Sequence, residues 1–449
     1  MSTLLEPTFD WLDRNLLRSP AARLWIARHL TPGFISLLQA SKFRRLVRYA
    51  ARHSKFYREA FRQHGIDPKR VRCHADLGNF FTTPEDLKTH PIEDFLCAPG
   101  ECGFETTGTS MGINKRVYFS YQEMFDYGRD GAAGLYNLGM RRGDVVLDGF
   151  DYSFWNAPFT AYYSLMPLRC LHVIGGFIEP QELYDRMKVY RPNVLLGVPT
   201  HMVRVTEVAE KNGAWPMKFM LLGGENLSER TRKYLESVWR GARVYLSYGQ
   251  TENFGITGIE CPEKGGYHVS GLSLVSEIIE PDENGYGEMA YSTLNRKVMP
   301  LIRYRSADIT RWADNGTCTC GLKVMPRLDK VVGRTDELIN CSMGNISPYW
   351  FEEILRDITA VSGDWQVIVR RGDRDDAIEM NLEPVNGANP QAIREQVLAN
   401  IQARFPDCWR YYTKGFFALD IKFHPRHSLA GDGRKLRRLI DARRDAWNK

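Results

Sequence analysis

Between Asp144 and Leu246 short apolar runs alternate with helix-length amphipathic stretches, and no other feature narrows the possible architecture as much. Strand-like segments fall at Asp144–Phe150, Cys170–Gly175, Asn193–Val198, Phe219–Leu222 and Arg243–Leu246. Helix-like segments separate them at Ala157–Leu168, Pro180–Tyr190, His201–Asn212 and Ser228–Arg240. Strands spaced by whole helices cannot pair as hairpins. They join through crossovers, which predicts an α/β fold with a largely parallel sheet layered between helices. Ligands of such sheets meet the loops beyond the carboxyl ends of the strands. Two loops qualify here: Gly223-Gly224-Glu225-Asn226 and Tyr248-Gly249-Gln250-Thr251-Glu252.

The flanks differ from this centre. Residues 1–35 look helical, interrupted at Pro20 and Pro32. From Ile35 to Gly65 the residues Leu38, Phe43, Leu46, Val47, Ala50, Phe56, Tyr57 and Phe61 recur at helical spacing. Thr83-Pro84-Glu85-Asp86 carries the signals of a helix start. Residues 265–335 are strand-rich, with strands expected at Glu288–Thr293, Leu301–Tyr304 and Val324–Leu328. Beyond Asp336 an α+β pattern follows: a helix at Pro348–Ile358, strands at Trp365–Arg370 and Ala377–Leu382, and a helix at Pro390–Phe405. A strand at Leu419–Phe423 and a basic helix at Lys435–Trp447 finish it. The expected division is a large domain over 1–335, its opening residues 1–95 mainly helical, and a small domain over 336–449.

No apolar run approaches the roughly 18 residues that cross a bilayer. The amino terminus carries Glu6, Asp10 and Asp13 and lacks the charged-then-apolar pattern of an export signal. Nine scattered cysteines do not form a secreted disulfide framework, so a cytoplasmic protein without a membrane partner is expected. The net charge of +6 is mild, and the basic carboxyl-terminal stretch interleaves Asp441 and Asp445 with its cations. That favours a solvated face over a nucleic-acid surface.

The segment Glu105–Val117, ETTGTSMGINKRV, is rich in hydroxyls and glycines, and Lys115-Arg116-Val117-Tyr118-Phe119-Ser120 follows as an alternating strand. Glycines let the backbone come close to a ligand, and successive N–H groups and hydroxyls can cradle phosphate oxygens. The Walker pattern is excluded, because the lysine stands three residues after Gly112 with no Ser or Thr behind it. Taken alone, the segment also describes a polar turn between two strands. A separate set, Cys261, His268 and Cys318-Thr319-Cys320, offers three thiols and an imidazole, a donor set that suits tetrahedral zinc. The remaining histidines His172, His201, His424 and His427 have no partner at catalytic spacing in the sequence and read as structural.

TTGTSMG (106–112), GGEN (223–226), YGQTE (248–252), RYRSAD (303–308), GRTDELI (333–339) and GDGRKLRRLID (431–441) follow one another in this order. With KFYREAFRQHGIDP (55–68) and FTTPEDL (81–87), they resemble the phenylacetate–CoA ligase-like branch of the adenylate-forming superfamily from about Leu38 to the carboxyl terminus. The resemblance implies a large AMP-binding domain with layered sheets and a small mobile domain. It implies ATP-dependent activation of a carboxylic acid to an acyl-adenylate, then transfer to CoA. A carrier-protein thiol, an amine, or a degenerate nucleotide-binding protein stand as alternatives.

The resemblance also assigns roles. Thr106, Thr107, Gly108, Thr109, Ser110 and Gly112 would wrap the ATP phosphates. Gly223, Gly224 and Glu225 would run past the adenine edge, with Tyr248 on the purine face beside Gly249. Thr251 would bond the α-phosphate, and Glu252 would hold Mg²⁺, a hard cation suited to carboxylate and phosphate oxygens. Asp308 would accept the ribose hydroxyls, and Arg334 would meet phosphate or ribose. Asp336 would be the hinge and Lys435 the catalytic lysine. The branch shares the Cys261, His268, Cys318 and Cys320 arrangement, implying a structural zinc. The loop with Phe150, Tyr152 and Phe154 would line the acid pocket and accept a flat aryl acid, with Asp151 available to a ring amine or hydroxyl.

Overall fold

The computed structural model describes residues 19–106, 115–255, 257–314, 318–322, 325–336, 339–341, 343–372, 376–429 and 436–443. Contacts divide the chain into Met1–Leu227 with Lys233–Lys330, and Ser228–Arg232 with Val331–Lys449.

The first unit opens with helices at Pro20–His29, Pro32–His53 and Lys55–Gln63. Pro20 and Pro32 do not interrupt helices but begin them. Each stands at the first helical position, where the missing N–H costs nothing, with Ser19 and Thr31 capping from the residue before. Ser54 ends the second helix and caps the third, and the apolar residues expected on the inward stripe, Leu38 through Phe61, are buried. A hairpin follows, β1 (Cys102–Thr106) against β2 (Lys115–Phe119), with Thr106 opposite Lys115.

The unit's main sheet contains β3 (Val145–Asp148), β4 (Leu171–Ile174), β5 (Val194–Gly197), β6 (Phe219–Gly223) and β7 (Arg243–Tyr248), all parallel. It continues antiparallel through β8 (Gly258–Glu260), β9 (Tyr267–Val269) and β13 (Arg327–Leu328). The order is β13-β9-β8-β7-β6-β5-β3-β4. Helices Ala157–Leu165, Pro180–Tyr190, Pro199–Asn212 and Glu229–Val238 connect the parallel strands, as the alternation predicts. Both faces of the central strands β5, β6 and β7 are largely buried, and side chains alternate between them with period two. Phe219, Leu221 and Tyr245 pack on one side with Ala132, Leu135 and Leu165, whereas Met220, Leu222, Val244 and Leu246 pack on the other with Leu183, Met202 and Trp239. The strand order reverses beside β3, whose neighbours are β4 and β5. Crevices at such reversals are where α/β sheets bind ligands.

One long helix, Tyr121–Asn137, has no counterpart in the sequence reading. Ser120 and Glu123 form its capping box, but Gly128, Gly131 and Gly134 conceal its pattern. Gly128 shows why: a Cβ there would lie 2.6 Å from the Tyr163 backbone, so its absence lets this helix press against Ala157–Leu165.

Strands β10 (Leu274–Ile279), β11 (Gly287–Thr293) and β12 (Tyr304–Thr310) pair antiparallel in succession. The strand expected at Leu301–Tyr304 thus begins where it was expected to end. Leu301 instead exchanges bonds with Thr293 just ahead of it.

In the second unit β14 (Gly333–Arg334) precedes a hairpin of β15 (Ile339–Cys341) and β16 (Gly344–Ile346). A sheet then combines β17 (Val361–Arg371), β18 (Asp376–Pro384), β19 (Phe417–Phe423) and β20 (Leu439–Asp441) in the order β19-β18-β17-β20. Helices Pro348–Leu355, Pro390–Arg404 and Pro406–Thr413 accompany it. The basic helix expected at Lys435–Trp447 is corrected within the described residues 436–443. There Leu439 pairs with Val367 and is buried as part of β20, so pairing with β17 sets an extended conformation where a helix was expected. No helix among the described residues is long and apolar enough to cross a membrane.

Candidate functional site

The loops following β6 and β7 meet β12 and the start of β2. Gly223 ends β6 so tightly against β7 that a Cβ would lie 2.5 Å from Ser247 Oγ, and Gly224 has φ +85°. Neither position accommodates a side chain without displacement. Glu225 Oε2 accepts from Thr200 N at 3.1 Å, placing negative charge at the start of helix Pro199–Asn212.

Beyond β7, Tyr248 OH donates to Asp308 Oδ2 at 2.5 Å, and Gln250 Nε2 donates to the same oxygen at 2.6 Å. Tyr291 OH in turn donates to Gln250 Oε1 at 3.1 Å. Thr251 and Glu252 form a short 3₁₀ turn, and Asn156 Nδ2 donates to Thr251 O at 3.0 Å. Glu252 is buried. Its Oε1 accepts from Lys115 Nζ at 2.5 Å and from Tyr304 OH at 2.9 Å. Arg296, itself buried over the Phe119 ring, donates to the Glu252 carbonyl. Burial pushes the Glu252 carboxyl up, but the charge and hydrogen bond of Lys115 outweigh it and hold the group below its ordinary value. At the mouth of the β1–β2 hairpin, Thr106 Oγ1 is buried with no hydrogen-bond partner among the described residues.

At the carboxyl end of β3, Asp148 is fully buried. Its Oδ1 accepts from Phe150 N at 2.9 Å, its Oδ2 from Tyr152 OH at 2.9 Å, and His172 Nε2 lies 3.4 Å from Oδ2. Burial, then the Asp148 charge, raises the Tyr152 phenol well above its usual range. Phe154 is 70% exposed, and its carbonyl accepts from Glu105 N at 3.2 Å. Asp151 accepts from both the N and Oγ of Ser153, which occupies it with the local turn.

A third cluster lies at the antiparallel end of the main sheet. Cys318 Sγ stands 3.6 Å from Cys261 Sγ and 3.2 Å from Cys320 Sγ, and His268 Nε2 stands 3.4 Å from both Cys318 and Cys320. Tetrahedral zinc with bonds of about 2.3 Å to sulfur spaces its thiolates by roughly 3.8 Å, so the donor set fits. His268 Nδ1 lies 3.3 Å from Met325 O, an arrangement that leaves Nε2 for the thiols. Hydrogen bonding from Cys320 holds the Cys261 thiol far below its ordinary range.

Sequence comparison adds to this geometry. The AMP-binding enzyme family matches residues 149–278. The phenylacetate–coenzyme A ligase of Thermus thermophilus is 27% identical over 442 residues, covering 91% of this chain and 96% of that protein. The ligase of the same description from Aromatoleum evansii is 25% identical and covers 90% and 94%. The chain is similar to the phenylacetate–coenzyme A ligases over nearly its whole length. Among solved structures, 2-hydroxyisobutyryl-CoA ligase, in its postadenylation state with 2-HIB-AMP, superposes on this ligase-like chain with a TM-score of 0.79. The identity is 19%, over 93% of this chain and 91% of that one. An anthranilate CoA ligase in complex with anthranoyl-AMP has a TM-score of 0.52 at 13% identity, over 72% and 63%.

In this ligase-like chain Gly223, Gly224, Tyr248, Gly249, Thr251, Glu252 and Asp308 come from three sequence motifs onto adjoining loops and strands of one unit. Arg334 and Asp336 lie in the other unit, where the guanidinium forks onto the carboxylate at 2.9 and 3.0 Å. Thr107, Gly108, Thr109, Ser110, Gly112 and Lys435 fall outside the described residues. Sequence reading missed Lys115, Gln250 and Tyr304, and it left His172 without the carboxylate that the structure gives it. Lys115 did carry a signal. It shares the inward face of β2 with buried Val117 and Phe119, an unusual place for a lysine without a fixed anionic partner.

Proposed function

We propose that this chain activates a carboxylic acid with ATP and passes the acyl group to the thiol of CoA. A carboxylate oxygen attacks the α-phosphorus and pyrophosphate leaves; the thiol sulfur then attacks the acyl carbon, losing its proton, and AMP leaves. The observation that carries this reading is the buried Lys115–Glu252–Tyr304 group standing beside the Tyr248–Gln250–Asp308 group, one charge set for phosphates and one carboxylate for a ribose diol. Asp308 would exchange phenol and amide donors for the ribose hydroxyls, and Tyr248 would then be released to pack on the purine. Thr106 Oγ1, buried without a hydrogen-bond partner among the described residues, would bond a phosphate oxygen. Glu252 would hold Mg²⁺, which when bound neutralises phosphate charge, and Lys115 would then turn its ammonium to the same phosphates. The thiol–imidazole cluster would hold zinc and staple β8 and β9 to the segment before β13, doing no chemistry.

Phe150, Tyr152 and Phe154 would border the acid at the strand reversal beside β3, and their rings favour a flat aryl acid. Tyr152→Ala should change which acids are adenylated while leaving KM for ATP nearly unchanged. Tyr152→Phe should keep the aryl preference but lower stability by about 1–3 kcal/mol, because buried Asp148 loses a donor. Equal loss for every acid in a pyrophosphate-release panel would overturn the pocket assignment.

Lys435 is proposed as the lysine that stabilises charge during adenylation, and Asp336 as the hinge between the half-reactions. Lys435→Ala should slow adenylate formation by on the order of 10²–10³ while sparing transfer from preformed adenylate. Asp336→Pro, whose fixed φ opposes rotation, should do the reverse. Single-turnover assays of each half, with and without CoA, test both. Pyrophosphate release without a CoA thioester would point to a carrier-protein thiol or an amine. No release with any acid would leave only a nucleotide-binding protein.

A further inference from the structure

We propose a second metal site, for a divalent cation of the Mn²⁺ or Zn²⁺ kind, built from Asp364, Glu383 and His427 at one end of the second unit's sheet. One carboxylate oxygen from each acid and one ring nitrogen of His427 lie within 4.8 Å of one another, with Asp364 Oδ2 and His427 Nδ1 3.7 Å apart. Bonds of about 2.1 Å around an octahedral cation separate its donors by roughly 3.0–4.2 Å, so a small closure brings all three into range. Two carboxylates and one imidazole, with water completing the shell, suit a hard-to-borderline divalent cation and not a thiolate-seeking one.

The backbone prepares this convergence. Val361 pairs with Pro384 and Trp365 with Leu382, so the register shifts between them and the bulge holding Asp364 lies beside Glu383 near the end of β18. Bulges re-aim side chains in this way and recur at functional sites. Glu383 is fully buried, and its two oxygens accept from His427 N at 2.6 Å and Leu429 N at 2.8 Å, which fixes the turn after β19. His427 takes φ +62°, a left-handed conformation uncommon for a side-chain-bearing residue. Each carboxylate oxygen has lone pairs beyond those used by the main chain, so capping and metal binding are compatible. A buried Glu beside a mostly buried Asp needs positive charge close by. The site shares no residue with the thiol cluster or with the Glu252 group.

The test is Mn²⁺ titration of the purified full-length protein without nucleotide, following the free Mn²⁺ signal by electron paramagnetic resonance. Wild type should take up one Mn²⁺ that Asp364→Asn and His427→Gln each lose, with at least a tenfold weakening and an unchanged circular dichroism spectrum. Added Mn²⁺ should also raise the wild-type unfolding midpoint and leave both variants unmoved. Wild type that binds no Mn²⁺, or variants that bind it equally, would overturn the site and leave an ion pair and a turn cap only.

Discussion

Glu252→Gln should lower adenylate formation by on the order of 10²-fold or more and, at the same time, destabilise the fold by about 3–5 kcal/mol. The second effect follows from burial. The side chains of Lys115 and Glu252 are only 11% and 4% exposed, so the neutral amide leaves an ammonium without its counter-charge where little water reaches it. Lys115→Met should cost a similar amount by stranding the carboxylate. The double variant Lys115→Met/Glu252→Gln should recover much of the stability and none of the activity. Urea unfolding beside single-turnover adenylation separates the two outcomes. If both single variants unfold like wild type, the pair is not the buried charge set described, and if the double variant is active, it is not part of the chemistry. The pH dependence has a fixed sign. The folded carboxyl is held below its ordinary value, so the pair's contribution is complete above the unfolded value of about 4.3 and is lost as pH falls through the lower folded value.

Cys318→Ser should lose about one zinc per chain and lower the unfolding midpoint by several degrees, with KM for ATP unchanged in protein that remains folded. Cys318 is the hub of its cluster, within 3.6 Å of both other thiols and the imidazole nitrogen. The cluster joins the neighbouring β8 and β9 to the segment before β13, 50 positions beyond His268, so loss of metal releases a long closed loop. A chelator should reproduce the variant's midpoint in wild type. Elemental analysis that finds no zinc in a wild type of full stability would reject the assignment.

What the sequence made legible was what repeats or punctuates. The parallel sheet followed from strands spaced by helices, and the placing of two loops at strand ends followed from Gly223-Gly224 and Tyr248–Glu252. What it concealed depends on tertiary pairing. Nothing near Lys115 announces Glu252, which lies 137 positions later, and nothing near Tyr248 announces that its hydroxyl closes on Asp308. Helix Tyr121–Asn137 was obscured because close packing against Tyr163 favours glycine, the residue that weakens a helical signature. The helix expected at Lys435–Trp447 failed for a tertiary reason as well: Leu439, Ile440 and Asp441 pair with β17, which stands about 70 positions earlier. His427 looked solitary because its carboxylate neighbours come from two other strands.

The β1–β2 ladder sets the pairing of Thr106 with Lys115, and four further pairs down to Cys102 and Phe119 hold that register. The ladder therefore positions the ammonium at the head of β2 from below, and the glycine-rich segment 107–114 joins the two strands in sequence. Insertions or deletions within that segment leave the Lys115–Glu252 contact in place, whereas a slip of one residue in the ladder turns Lys115 to the opposite face. Laboratory recombination between relatives can therefore exchange that segment without disturbing the ladder, with the graft junctions set at Thr106 and Lys115.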